Sequence, residues 1–194
     1  KNHGGAIALN LSAMNRQGRN TLLPKIKQQL GKRVAQSVPT GSTLFLDAGS
    51  TMLAVANVLK GPLTVITPSL DIAQCFSERE DIELILLGGK WDHQQRLFAG
   101  SATLALLSRY RADIAILGAC AIHAQLGLSA STEADAEVKR AMLAASHAHW
   151  IVADHMKLNR CEPYLVSGLS GIHQLFLDRP WPELGDGGAM QVTL

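Results

Sequence analysis

Thr43-Leu44-Phe45-Leu46 runs directly into Asp47-Ala48-Gly49-Ser50-Thr51, and residues 52–59 continue with helical character. A short apolar strand, a tight turn and a helix start follow one another without a linker, which is how a βα unit begins. The turn leaves N–H groups of Gly49, Ser50 and Thr51 without intrahelical acceptors, and the helix dipole adds roughly half a positive charge there. Such a corner suits a phosphate. A hydroxyl at Ser50 or Thr51 that merely caps the helix would leave the same pattern. Two further strand ends with polar or glycine turns favour the ligand reading.

Outward from this corner, β-rich runs alternate with helical stretches. Runs at 43–46, 63–66 and 82–87 are followed by helical stretches at 51–59, 70–77 and 99–109. Further on come 114–117, a glycine-containing loop through Gly127, a helix over about 134–146, a buried strand at 150–153 and last strands at 175–177 and 191–194. Alternation of this kind predicts an α/β fold with a parallel sheet covered by helices. Leu84-Ile85-Leu86-Leu87 and Ile114-Ala115-Ile116-Leu117 are unbroken apolar runs, as buried parallel strands should be. Residues 180–188, with two prolines and three glycines, read as a surface loop.

The chain has 194 residues, 47% of them hydrophobic, enough for one sizeable core. No apolar run approaches the ~20 residues of a membrane helix, and the composition points to a cytoplasmic protein. Three separated cysteines and seven scattered histidines form no ligand set with zinc spacing, so neither a metal nor another cofactor is expected. Charge is uneven. The residues before Asp47 include seven of the eighteen Lys and Arg and no acidic residue, leaving eleven basic against sixteen acidic residues in the remainder. Asymmetry of this kind points to a polyanion near one end, although a solvated linker helix has the same composition. Residues 25–38 have helical spacing, with Ile26, Leu30 and Val34 at every fourth place.

In open α/β sheets ligands bind outside the carboxyl ends of the strands. Besides the first corner, the ends Thr67-Pro68-Ser69 and Gly88-Gly89-Lys90 are spaced as if successive βα units brought them to one rim. Gly88 and Gly89 permit a close backbone approach or a positive φ, and Lys90 could place a charge on a phosphate. Asp135 and Lys139 fall four apart on one helix, as a ligand-facing pair or a plain surface ion pair would. Lys157 follows the strand end Ala153-Asp154, again on the carboxyl rim.

The ordered set Leu46-Asp47-Ala48-Gly49-Ser50-Thr51, Thr67-Pro68-Ser69, Leu87-Gly88-Gly89, Gly127-Leu128-Ser129, Val138-Lys139-Arg140-Ala141-Met142 and Ala153-Asp154-His155-Met156-Lys157 resembles the effector domain of DeoR-family bacterial transcription regulators. The likeness runs from about Arg16 to the C-terminus, and His3-Gly4-Gly5-Ala6 is similar to the stretch that closes their winged helix-turn-helix. The resemblance implies a Rossmann-like three-layer fold with a mostly parallel sheet, related to ribose-5-phosphate isomerase and the CoA-transferases. It also implies a sensor for a phosphorylated sugar or similar metabolite, in a homo-oligomer whose further N-terminal domains grip operator DNA. Residues 1–36 would then be the end of the DNA-binding domain and a basic linker helix, and 37–194 the effector-binding domain. The family often has Thr-Asn-Ser at Thr67-Pro68-Ser69, paired glutamates near Ala134 and Asp135, and small residues at His155 and Met156.

On this reading Gly49, Ser50 and Thr51 hold the phosphate, Lys90, Lys139 or Lys157 neutralises it, and Thr67, Ser69, Gly88 and Gly89 complete the rim. Asp47 and Asp135 accept hydrogen bonds from sugar hydroxyls, because a carboxylate against a phosphate would repel it. An isomerase on the same scaffold is the main alternative. Those enzymes carry Asp-Gly-Ala-Asp and Lys-Gly-Gly segments where this chain has Gly118-Ala119-Cys120-Ala121 and Lys157-Leu158-Asn159, so no enzymatic activity is expected. An actin-like sugar kinase would need two large lobes and further nucleotide motifs, and no G-x-x-x-x-G-K-[ST] loop is present.

Overall fold

The computed structural model describes residues 14, 16–185 and 189–194. α1 (Arg16–Asn20) and α2 (Pro24–Ser37) lead into β1 (Thr43–Leu46), α3 (Ser50–Ala56), β2 (Leu63–Thr67), α4 (Leu70–Phe76) and β3 (Ile82–Leu86). A hairpin of β4 (Lys90–Asp92) and β5 (Leu97–Ala99) precedes α5 (Ser101–Leu107) and β6 (Ala112–Gly118). The chain continues through β7 (Ala121–His123), β8 (Gly127–Ala130), α6 (Glu133–Ala144), β9 (Ser146–Ala153), β10 (Tyr164–Ser167), β11 (Gln174–Leu177) and β12 (Met190–Thr193).

Seven strands form one sheet in the order β12-β11-β9-β6-β1-β2-β3, and every pair in it is parallel. The chain starts in the middle at β1, steps outward through β2 and β3, then returns to β6 on the other side of β1 and steps outward the other way. The order therefore reverses between β1 and β6. At such a point the two sets of connections diverge and leave a crevice at the carboxyl ends.

Side chains on successive strand positions point to opposite faces, and here both faces are covered. Leu44, Leu46, Ile114, Ile116, Trp150, Val152 and Phe176 join α2, α3 and α4 in one core through Leu30, Val34, Met52, Val55, Ile72 and Phe76. Phe45, Ala115, Leu117, Ile151, Leu175 and Leu177 face the other way, against α5 and α6 at Leu107, Ala136, Val138 and Met142. The expected three-layer α/β fold with a mostly parallel sheet is what the chain adopts.

Several elements differ from the sequence expectation. α2, expected over 25–38, crosses the boundary drawn at residue 36, and its Leu30 and Val34 are fully buried in the core against α3. The helix expected over 99–109 starts at Ser101, and Ala99 instead ends the strand β5. The expected loop up to Gly127 contains β7, which pairs with β8, and β8 pairs with β10 in a small antiparallel sheet. In the 180–188 stretch, Pro182–Leu184 forms a 3-10 turn and Trp181 is buried, its indole N–H donating to Asn159 Oδ1 at 2.8 Å. Residues 186–188 and 3–6 lie outside the described residues. Among the described residues no helix is long and apolar enough to cross a membrane, and no group of three or more His, Cys, Asp and Glu is placed to hold a metal ion.

Candidate functional site

A cavity of about 50 Å³ opens at the carboxyl ends of β1 and β6, at the point where the strand order reverses. That is room for a few water molecules or one small anion. Its wall includes Gly49, Ser50 and Thr51 from the β1–α3 turn, Cys120 beyond β6, Asp135 and Lys139 of α6, and Lys157.

Gly49 has φ 149° and ψ 153°, a conformation that side-chain-bearing residues avoid. It turns the chain sharply from strand to helix, so the amides of Gly49, Ser50 and Thr51 donate to no group among the described residues. Neither hydroxyl caps α3. The donors needed by an anion are present and unsatisfied.

Beneath the cavity lies a buried charge triad. Lys139 Nζ donates to Asp47 Oδ2 at 2.6 Å and to Asp135 Oδ1 at 2.8 Å, and the three residues are 2%, 0% and 3% exposed, respectively. Three elements meet here. Asp47 directly follows β1, its amide donating to the Ile116 carbonyl of β6, and its Oδ2 also accepts the Gly118 N–H at 3.0 Å. Asp135 and Lys139 are one turn apart on α6, whose start is fixed by the Thr132 side chain accepting from the Asp135 amide. Burial draws the Lys139 ammonium toward neutrality, but the charges of Asp135 and Asp47 outweigh it and hold its pKa above the usual lysine range. Burial pushes the Asp47 carboxyl up, and the Lys139 charge opposes the shift. The surface ion pair that spacing alone allowed for Asp135 and Lys139 is thus an interior one, and Lys139 is committed to two carboxylates.

Lys157 reaches the cavity on a 3-10 turn (His155–Lys157) that follows β9. Asp154 caps this turn by accepting the Met156 amide at 3.0 Å, and Asp178 anchors it by accepting the His155 amide at 2.7 Å. The Lys157 ammonium makes no hydrogen bond or ion pair among the described residues. Burial lowers its pKa from the ordinary lysine value, with Asp154 pulling the other way. It is a half-buried cation at the wall of an anion-sized cavity.

Of the twelve residues singled out in the sequence, Gly49, Ser50, Thr51, Asp135, Lys139 and Lys157 line the cavity. Asp47 sits below its floor, sealed from solvent, with Oδ1 unpartnered. The other five lie away from it. Thr67 Oγ1 accepts the Ser69 amide, and Ser69 caps α4 by accepting the Ile72 amide, so both fully buried hydroxyls are used within their own loop. The Gly88 carbonyl accepts from Thr103 at 2.8 Å. Gly89 does have a positive φ, 146°, but a Cβ there would lie 2.0 Å from Thr103 Oγ1, so packing against α5 accounts for the glycine. Lys90 is exposed on β4.

Among the cavity residues not singled out as candidates, three have polar side chains: Cys120, Gln95 and Arg19. Cys120 Sγ contacts Asp135 Oδ2 at 3.6 Å, and burial followed by the Asp135 charge raises its thiol pKa, so it is a poor nucleophile. Gln95 comes from the β4–β5 turn, which the Arg96–Asp71 ion pair at 2.7 Å fastens to α4. A lone glutamine in a turn, or one arginine on a five-residue helix, carries no periodic signal that sequence inspection could detect.

The model of the DeoR C terminal sensor domain matches residues 24–179. The Glycerol-3-phosphate regulon repressor of Escherichia coli is 32% identical over 186 residues, covering 94% of this chain and 73% of the repressor. The HTH-type transcriptional repressor GlcR of Bacillus subtilis is 33% identical over 182 residues, covering 92% of this chain and 70% of GlcR. Ribose 5-phosphate isomerase A from Neisseria gonorrhoeae superposes with a TM-score of 0.52 at 17% identity, over 71% of this chain and 55% of the isomerase, a likeness of fold. eIF2B delta from Chaetomium thermophilum gives 0.51 at 18% identity, over 77% of this chain and 56% of its own. With the sensor-domain match spanning most of its length, this chain belongs to the DeoR family of transcription regulators, as a sensor domain of the kind carried by its repressors.

Proposed function

We propose that the cavity at the β1–β6 switch point binds the phosphate of a phosphorylated sugar or similar small metabolite, and that occupancy modulates operator binding. The DNA-binding unit would be a winged helix-turn-helix preceding this domain, in a homo-oligomer. The observation that carries the reading is the pairing of unsatisfied Gly49–Thr51 amides with the unpaired Lys157 ammonium around one small cavity. With Lys139 tied to two carboxylates, Lys157 supplies the charge that a phosphate needs. Asp135, at the wall, would accept a ligand hydroxyl.

Calorimetry with a panel of sugar phosphates, glycerol 3-phosphate first because of the relatives' name, against the dephosphorylated forms tests this. Phosphorylated compounds should bind and their parents should not. Ser50→Glu should weaken binding at least ~100-fold, since two like charges at about 4 Å repel by up to ~4 kcal/mol near a protein surface. Equal affinity for a sugar and its phosphate would end the reading, and steady isomerase turnover on the same panel would replace it with the enzymatic one.

Affinity should also follow a bell in pH. It rises as the ligand phosphate loses its second proton near pH ~6. On the alkaline side it falls as Lys157 deprotonates, which begins below the ordinary lysine range because its pKa is lowered. Lys157→Gln should remove the alkaline limb while leaving the acid limb in place, as titrations between about pH 6 and 10 will show.

A further inference from the structure

Arg19 belongs to α1, ahead of α2, and reaches the same cavity as Ser50, Thr51 and Lys157. Its Nη2 donates to Gln95 Oε1 at 2.8 Å, while its Nε is buried with no acceptor. A buried donor without a partner carries its full desolvation penalty. The guanidinium shares the cavity with the Lys157 ammonium, and like charges there repel each other. An anion in the cavity would relieve both conditions at once.

Resting on the anion-site reading above, we propose that Arg19 is a direct ligand of the bound phosphate and that effector occupancy thereby sets how firmly α1 is held to the sensor domain. Gln95 is a positioning residue. Its amide is fixed by Asp92 Oδ1 at 3.0 Å, on a hairpin that does not depend on α1 for its anchorage, so it presents a stationary acceptor to one guanidinium nitrogen and leaves Nε for the ligand. The cavity admits little more than a phosphate, so the remainder of a metabolite must extend beyond it. Among the described residues, Arg19 alone brings the chain ahead of α2 into the site. Lys27 of α2 adds a second tie, donating to the Arg19 carbonyl at 2.5 Å. If the anion tightens Arg19's hold, firmer docking of α1 must tighten the anion by the same factor, because coupling is reciprocal.

Inorganic phosphate titrated into the whole 194-residue chain, with amide hydrogen exchange followed over residues 16–23, tests the inference. Phosphate should slow exchange there in the wild-type chain. Arg19→Gln should lower phosphate affinity about tenfold, the scale of one charge-assisted hydrogen bond, and saturating phosphate should then leave 16–23 unprotected. Lys157→Gln should also weaken binding, yet at saturation restore full protection of α1, because Arg19 is intact. Arg33→Gln, an exposed charge on α2, should change neither. Unaltered affinity in Arg19→Gln, or exchange at 16–23 that ignores phosphate in the wild-type chain, would overturn the role of Arg19 alone. A wild-type chain that binds neither phosphate nor any sugar phosphate would overturn the anion site, and this inference with it.

Discussion

Lys139→Met is expected to destabilise the fold by about 3–5 kcal/mol, the range for removing one partner of a buried ion pair. The methionine fills similar space, so the loss would come from charge. Asp47 would be left fully buried with only the Gly118 amide as partner, and Asp135 would lose its nearest cation. The double variant Lys139→Met, Asp47→Asn should recover at least half of the loss, because asparagine keeps an acceptor for Gly118 and carries no charge. Chemical denaturation of the single and double variants measures both. Recovery smaller than ~0.5 kcal/mol would show that the side chains pack, and do not pair, at this floor. The pH dependence has a definite sign. A lysine whose folded pKa is raised contributes stability in full below about pH 10.5 and loses it as pH rises through the higher folded value. Wild-type stability should therefore show no step from Lys139 between pH 7 and 10.

The triad also shows which parts of the cavity are legible in sequence: the local turn is, and the pairing of its charges is not. The corner is local. An apolar strand, a glycine and two hydroxyl residues within nine positions specify a βα turn whatever the rest of the chain does, and Gly49 takes the positive φ this turn requires. Alternating strand and helix signals gave the sheet its parallel strands, since period and length survive without tertiary knowledge. Partners across the fold do not. Spacing made Asp135 and Lys139 neighbours on a helix, but nothing local says that this face meets Asp47, 92 residues earlier, in the interior. Thr67, Ser69 and Gly89 show the same limit. Their residue types fit a ligand rim, and the structure uses them for a helix cap, a turn and a close approach to α5. The antiparallel additions β4–β5 and β7–β8–β10 lie outside the strand–helix alternation that marked the sheet strands, and segments such as Lys90-Trp91-Asp92 and Ala121-Ile122-His123 are not apolar runs.

Gly31→Val should destabilise the domain by about 2–4 kcal/mol, at the upper end of overpacking costs, because the obstacle is backbone. A Cβ at position 31 would lie 2.6 Å from the Ala54 carbonyl oxygen and 2.7 Å from its carbon. No side chain at the α2–α3 crossing can rotate away to make room, so α2 must move. Helix propensity works in the opposite direction, by up to about 1 kcal/mol for alanine, so Gly31→Ala separates the two effects. If close contact dominates, alanine also destabilises, by about 1 kcal/mol net. If it stabilises, the helices are free to separate and α2 is only loosely part of the core. Leu30 and Val34, fully buried on either side of Gly31, favour the first outcome. The same displacement would carry Pro24 and α1 with it and withdraw Arg19 from the cavity. Gly31→Ala should therefore weaken phosphate binding as well as stability, although residue 31 lines no part of the site. Thermal unfolding and phosphate titration on one preparation give both quantities. Lost stability with unchanged affinity would mean that α1 holds its place by contacts of its own, independent of the helix that follows it.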